Sequence, residues 1–422
     1  MAATSPKRAW VTLLTRASYL PGVITLAYTL RKHASAYPLV VLITPSLPER
    51  SLRALELESQ HNPLVVVHPV EPLLPSGPVT LIAARFEDTW TKLRAFELTT
   101  YDRCVFLDAD ITIYKNMDDV FETPLPATDW IAANHGCVCN LDHDSWAPDN
   151  WNADNCGYTP LEHPSALDAG TPVPEDEEPP HTHCLLNGGL FVYNPSSALW
   201  DSMLEYFNSS KELSTFQFPD QDFMARFFLH KWLPVSWKYN ALKTMENWHP
   251  NIWRDEEVRG LHYIVDKPWE RRVASDGIGG HLGRDGKTHG WWWDVWEEWV
   301  RVRNDERELL VILEALVAKP LDKYGDKTQC EENKGKGLPV PVPDSPARRR
   351  ARQMKNGDCE KHSEGGQPSA GEGAHDHTSV DGRPGPKFPV LRQPRPGERG
   401  ELPCGIFSTQ FEKRRKLITS IF

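Results

Sequence analysis

The sequence predicts an α/β protein, a single Rossmann-like domain around a mixed, mostly parallel central sheet. Three observations carry that expectation. Apolar runs without alternation recur at Trp10-Val11-Thr12-Leu13-Leu14 and Pro38-Leu39-Val40-Val41-Leu42-Ile43, as parallel strands covered on both faces require. A helical segment ending near Leu30-Arg31-Lys32-His33 separates them and makes a strand–helix–strand unit. A further run, Cys104-Val105-Phe106-Leu107, stops abruptly at Asp108-Ala109-Asp110.

In chain order, the first strand leads through Ser18-Tyr19-Leu20-Pro21-Gly22 into the first helix, and the second strand follows at Pro38–Thr44. Thr89–Leu98 reads as a short amphipathic helix that carries Lys92 near the carboxylate strand. Trp130-Ile131-Ala132-Ala133 is a strand leading to Asn134-His135. Asn187-Gly188-Gly189 opens another, where paired glycines let backbone come close to a ligand. Sixteen Trp are present, many between 232 and 299, and the run from Trp291 to Trp299 reads as an amphipathic closing helix rather than a sugar-stacking platform.

Strand side chains alternate faces, so Asp108 and Asp110 point the same way if the extended geometry persists. Two carboxylates that close repel, and a divalent cation between them relieves the repulsion. Hard oxygen ligands suit Mg²⁺ or Mn²⁺ better than zinc. The carboxyl end of a strand in an open α/β sheet is also where nucleotides sit. No Gly-x-Gly-x-x-Gly and no Gly-Lys-Ser/Thr follows a strand, which disfavours a dinucleotide fingerprint and a P-loop. The missing triphosphate loop likewise disfavours a nucleotidyltransferase. The net charge of −11 gives a nucleic-acid partner no support.

Six elements in register resemble glycosyltransferase family 8, the family of glycogenin, plant galactinol synthase and bacterial lipopolysaccharide galactosyltransferases. They are Val11–Thr15 with Tyr19 and Gly22; Thr91-Lys92-Leu93; Phe106–Asp110; Asn187–Pro195; Asp220-Gln221-Asp222-Phe223; and His262-Tyr263 with Asp266-Lys267-Pro268-Trp269. Tyr37–Val41 and the segment Tyr239-Asn240 to Trp248-His249-Pro250 are most similar to the galactinol synthase branch. The resemblance implies a GT-A type nucleotide-sugar-binding domain over 8–318, with an insertion at 136–184. It also implies a retaining, Mn²⁺-dependent transferase, Mg²⁺ being the other candidate, that moves a hexose from UDP-glucose or UDP-galactose. The acceptor is inositol by likeness to galactinol synthase, otherwise a glycan, a lipid or a small metabolite, and the resemblance admits a homodimer. The competing expectation is an inactive nucleotide-sugar-binding or scaffold protein, disfavoured because Asp108, Asp110, His262 and Lys267 are all present.

By the same resemblance, Asp108, Asp110 and His262 are the metal ligands, and Lys267 closes over the diphosphate. Leu13, Thr15 and Tyr19 hold uracil, Tyr19 by stacking, and Lys92 reaches the donor. The donor-contacting set is completed by Ala109, Asn187, Gly188 and Gln221. Asn187, Asp220 and Gln221 form the reaction centre with Gly189 and Asp222. Retention without a clear nucleophile points to attack from the leaving-group face, with a phosphate oxygen taking the acceptor proton. A transient adduct on Asp220 or Gln221 remains the other scheme. Three positions depart from relatives. Arg16 replaces an asparagine of glycogenin, Asn134 stands where relatives place a sugar-touching aspartate, and 241–248 holds no tyrosine for self-glycosylation.

Cys137, Cys139, Cys156 and Cys184 cluster in the insertion with His135, His181 and His183. Cys-Val-Cys is tighter than the usual Cys-x₂-Cys zinc spacing, so a buried thiol cluster or a loop over the acceptor pocket is expected there rather than zinc. Residues 319–403 are rich in Pro, Gly and charge, and read as a disordered tail that includes Arg348-Arg349-Arg350. The last stretch, 404–422, regains a short amphipathic pattern. No segment approaches the roughly 20 apolar residues of a membrane span, and no signal peptide precedes the first strand, so a cytoplasmic enzyme with reduced thiols is expected.

Overall fold

A computed structural model describes residues 6–77, 88–175 and 181–319. Strand β1 (Arg8–Leu14), helix α1 (Leu20–Lys32), β2 (Leu39–Ile43), α2 (Glu49–His61) and β3 (Val65–Pro69) form the first half. Their strands pair in parallel, Trp10 beside Leu39 and Leu39 beside Val65, and every residue of β2 is buried. That burial on both faces is why these strands read as continuous apolar runs. On the other side of β1 lies β4 (Arg103–Leu107), also parallel, and β5 (Ile111–Ile113) follows after a turn.

The second half supplies β6 (Ile131–His135), β7 (Leu186–Tyr193), α3 (Ser197–Ser209), α4 (Pro219–Phe227) and β8 (Trp232–Pro234). The seven strands run in the order β3-β2-β1-β4-β7-β6-β8. Strand β7 is antiparallel to both β4 and β6, while β6 and β8 are parallel. The sheet is therefore mixed and mostly parallel, as the sequence predicts. Ser196 caps α3 by accepting from Leu199 N at 3.2 Å, and Pro219 starts α4, where its missing N–H costs nothing.

A second, three-stranded sheet in the order β5-β10-β9 lies beyond the end of β4. It is completed by β9 (Ala241–Leu242), followed by the one-turn helix α5 (Met245–Trp248), and by β10 (Gly260–His262). Helices α6 (Gly286–Val302) and α7 (Arg307–Glu314) close the described domain.

Two local expectations are refined. Thr89–Glu97 winds as a 3-10 helix, with Trp90, Leu93 and Phe96, three residues apart as the 3-10 period requires, among its buried residues. The tryptophan run is core. Trp292, Trp293, Trp296 and Trp299 are buried on α6, Trp292 and Trp296 stack at 5.5 Å, and Trp292 Nε1 donates to Thr25 Oγ1 of α1 at 3.2 Å. Each such ring contributes roughly 1.5–3 kcal/mol by burial.

The expected tail and terminal segment lie, from residue 320 onward, outside the described residues. After α7 the Ala318 N–H donates to Trp269 O at 2.8 Å, which ties the end of the described chain to the body. A chain ending at Lys319 is therefore expected to fold and to retain full activity. Insoluble protein, or turnover reduced more than tenfold, would contradict this. Among the described residues no helix is long and apolar enough to cross a membrane.

Candidate active site

The carboxylate pair sits where β4 leaves the sheet. Asp108 N donates to Gly189 O of β7 at 2.8 Å, and Ile111 N donates to Asp108 O at 3.0 Å, so Asp108–Asp110 form a turn rather than more strand. β5 then pairs antiparallel with β10, placing His262 opposite Ile111, and Tyr263 N donates to Asp110 O at 2.9 Å. The backbone ladder thus brings a histidine distant in sequence against the turn. His262 Nε2 lies 3.2 Å from Asp110 Oδ1 and 3.7 Å from Asp108 Oδ2. One ligand atom from each of the three lies within 4.8 Å of the others.

Backbone approach at this site depends on two glycines. A Cβ on Gly189 would stand 2.4 Å from His262 Cε1, and one on Gly22 would stand 2.1 Å from Ala109 O. Gly22 thereby lets α1 pack against the turn, and Gly189 makes room for the imidazole. Gly189→Ala is expected to displace His262 and to lower turnover more than tenfold. Unchanged turnover in that variant would show the close packing to be dispensable.

Lysines flank the carboxylates on either side. Lys92 Nζ contacts Asp108 at 2.8 Å, also pairs with Asp220, and donates to Gly188 O at 3.1 Å. Lys267 Nζ pairs with Asp110 and donates to Tyr263 O at 2.9 Å. Both lysines are buried. Burial opposes the charge of Lys92, yet Asp108 and Asp220 together hold its pKa above the ordinary lysine value. Burial likewise opposes the charge of Asp110, but the Lys267 ammonium beside it prevails and holds it well below the usual carboxylate range. For Asp108 burial wins over Lys92, and the neighbouring Asp110 adds to the rise.

A relay of amides orients the imidazole. Asn240 Nδ2 donates to Asn187 Oδ1 at 2.9 Å, which turns Asn240 Oδ1 toward His262 Nδ1, also at 2.9 Å. Nδ1 then carries the proton, an assignment made from this network, and the Nε2 lone pair faces both carboxylates. Asn187 Oδ1 also accepts from Gly189 N at 3.0 Å, while Gln221 Oε1 accepts from Gly188 N at 3.3 Å and from Asn187 Nδ2 at 3.4 Å. Two carboxylate oxygens and an imidazole lone pair converging on one point fit Mn²⁺ or Mg²⁺, the nitrogen favouring Mn²⁺.

The remaining expected residues fall on both sides of this centre. Leu13, Thr15 and Tyr19 are half-buried at the end of β1, and Lys267 Nζ lies 5.6 Å from the centre of the Tyr19 ring. Asp222 is drawn elsewhere, because its Oδ2 accepts from Gln217 N and Phe218 N at 2.7 and 2.9 Å, within its own turn. Burial raises its pKa to about 6 against those two bonds. Asn134 pairs in register with Asn187, but its Nδ2 donates to Val235 O and Ser236 O at 3.2 and 3.1 Å. Arg16 pairs with Asp88.

Sequence reasoning assigned no role to Asn240 or Lys243. Asn240 stands in a segment already singled out for its likeness to relatives, which was the available signal. Lys243 is fully buried, with its Nζ 2.9 Å from Asp285 Oδ2 and 3.2 Å from His289 Nε2, and it also pairs with Asp266. It fills the Asp266–Asp285–His289 cluster with its own cation and so anchors the loop that carries Lys267. Burial, with Lys243 beside it, pushes His289 down to about 4.

Residues 10–272 match the model of glycosyl transferase family 8. Galactinol synthase 4 of Arabidopsis thaliana is 29% identical to this chain, covering 69% of it and 82% of that protein. Galactinol synthase 1 of Ajuga reptans is 28% identical, covering 71% and 84%. The solved galactosyltransferase LgtC, in complex with donor and acceptor sugar analogs, is similar at 16% identity and a TM-score of 0.44, covering 67% of this chain and 94% of that one. With more than half its length matched by the family model, and with the α/β architecture above, this chain belongs to glycosyltransferase family 8.

Proposed function

We propose that the chain is a hexosyltransferase that moves a sugar from a UDP-sugar to an acceptor hydroxyl, with retention of configuration and with Mn²⁺ at Asp108, Asp110 and His262. The observation that carries this reading is the convergence of those three side chains between Lys92 and Lys267. The cation, when bound, supplies Lewis-acid stabilisation of charge on the departing diphosphate. Lys267, buried beside Asp110, adds a fixed positive charge for the same leaving group. Tyr19, Leu13 and Thr15 supply the shelf for the base, next to Lys267.

Lys92 bridges Asp108 and Asp220 and ties them to the Gly188 carbonyl, fixing the carboxylates beside the sugar position. Gln221 and Asn187 orient one another, and their remaining polar atoms position the sugar and the incoming hydroxyl. The acceptor oxygen bonds to the anomeric carbon as the bond to the phosphate breaks, and the hydroxyl proton passes to that phosphate, so the protein mainly aligns reactants and stabilises charge. The relatives named galactinol synthases make UDP-galactose and inositol the first donor and acceptor to test. The buried free thiol of Cys104 suits a reducing cytoplasm.

The test is UDP release by the purified full chain with UDP-galactose or UDP-glucose, with and without inositol, before and after chelation. The expected result is turnover that vanishes with EDTA and returns with Mn²⁺. Turnover that persists through chelation contradicts the metal role. UDP-sugar binding with no transfer to any acceptor class favours the inactive-scaffold reading instead.

A further inference from the structure

The insertion holds a second convergence of ligand-type side chains, outside the reaction centre. Cys137, Cys139, Cys156 and His249 place one ligand atom each within 4.8 Å of all the others. His249 Nε2 lies 3.3 Å from both Cys137 Sγ and Cys139 Sγ and 3.7 Å from Cys156 Sγ, and the Cys156 and Cys137 sulfurs are 3.9 Å apart. With bonds of about 2.3 Å to sulfur and about 2.05 Å to nitrogen, a zinc tetrahedron has S···S edges of about 3.8 Å and S···N edges of about 3.6 Å. The observed separations match those edges within a few tenths of an ångström. A disulfide does not account for the cluster, since all three cysteines are free thiols.

We propose that Cys137, Cys139, Cys156 and His249 form a structural zinc site. Three thiolates and one imidazole are a soft donor set, which selects zinc over the hard cations suited to Asp108 and Asp110. All four positions of the tetrahedron come from the protein, so the site is closed, as structural rather than catalytic zinc sites are. Zinc binding releases the three thiol protons to solvent, leaving a complex of net charge −1.

The surroundings are built to hold such a centre. His249 Nε2 faces the three sulfurs while Tyr158 packs on its ring at 5.4 Å. The next turn is fastened to the insertion, with Asn251 Nδ2 donating to Tyr158 O and Leu161 O at 3.1 and 2.6 Å, and His163 N donating to Asn251 O at 3.1 Å. The tight Cys-Val-Cys spacing argues only against a zinc knuckle, in which one turn supplies both ligands. Here the other two ligands come from distant segments, 19 residues on from Cys137 and then a further 93. Cys184, His135, His181 and His183 are not members of this cluster, and His135 Nε2 lies 2.6 Å from Thr171 O. A metal here would pin the insertion that follows β6 to the segment that follows α5, closing long loops at a single point.

The test reads metal content and spectrum rather than sugar transfer, so it stands or falls separately from the proposed activity. Full-length protein purified without chelators is expected to carry one zinc per chain by elemental analysis. Asp110→Asn should retain that zinc, whereas Cys137→Ser and Cys156→Ser should each lose more than nine-tenths of it. Should the cysteine variants be insoluble, Co²⁺ exchanged into the native chain decides the matter. Intense thiolate-to-cobalt charge-transfer bands with tetrahedral d–d bands support the site, and their absence overturns it. Zinc below one-tenth per chain after expression in zinc-supplemented medium, with all three thiols alkylated at once, also overturns it. So does zinc retained in the Cys137→Ser/Cys156→Ser double variant.

Discussion

Asp110→Asn should lower transfer by on the order of 10³-fold, because it removes a charge at the point where the leaving group's charge must be balanced. UDP release at saturating Mn²⁺ measures it, and native-like turnover would refute the proposed site. Read from sequence as an exposed strand-end residue, Asp110 would be expected to alter stability by less than about 0.5 kcal/mol. The structure corrects that expectation. Asp110 is buried and pairs with Lys267 and His262, so the variant leaves a buried cation short of a partner, at a cost of about 1–3 kcal/mol. The cost should depend on pH in a definite direction. The folded-state pKa of Asp110 lies below its unfolded value, so the carboxylate's contribution is complete above the unfolded value of about 3.9 and declines as the pH falls below it. Urea unfolding of native and variant protein should therefore converge as the pH is lowered beneath about 4.

Arg303→Met should destabilise the fold by about 3–5 kcal/mol while leaving turnover per folded molecule unchanged. Glu58 of α2 is fully buried and accepts from Arg303 Nε at 2.9 Å, from Arg303 Nη2 at 2.7 Å and from Trp299 Nε1 at 3.2 Å. Removing the guanidinium strands a carboxylate beneath the tryptophan face of α6. Replacing both partners, Glu58→Gln with Arg303→Met, should recover much of the loss, since no charge is then left unpaired. Chemical denaturation measures both variants. A single variant within about 0.5 kcal/mol of the native protein would show that water reaches Glu58.

What the sequence determined by itself was local and periodic. Unbroken apolar runs specify parallel strands covered on both faces, because strand pattern follows burial directly. The abrupt end of Cys104–Leu107 at two aspartates marks where the sheet presents its charge, and the spacing of Trp292, Trp296 and Trp299 marks the helix face that enters the core. The family's motifs, met in register, single out Asp108, Asp110, His262, Lys92 and Lys267 together.

Only tertiary structure decided which of these touch and how deeply they lie. The pairing of β5 with β10 carries His262 to the aspartates, and the amide chain through Asn240 sets the ring's orientation. Asp222, one residue from Gln221, turns instead to cap its own backbone. Cys137, Cys139 and Cys156 find their fourth neighbour in His249, which spacing within the insertion gave no means to foresee. The reason is common to all of them: periodicity records which face of an element is buried, while the meeting of side chains far apart in sequence depends on strand register and loop closure, which emerge only when the elements pack.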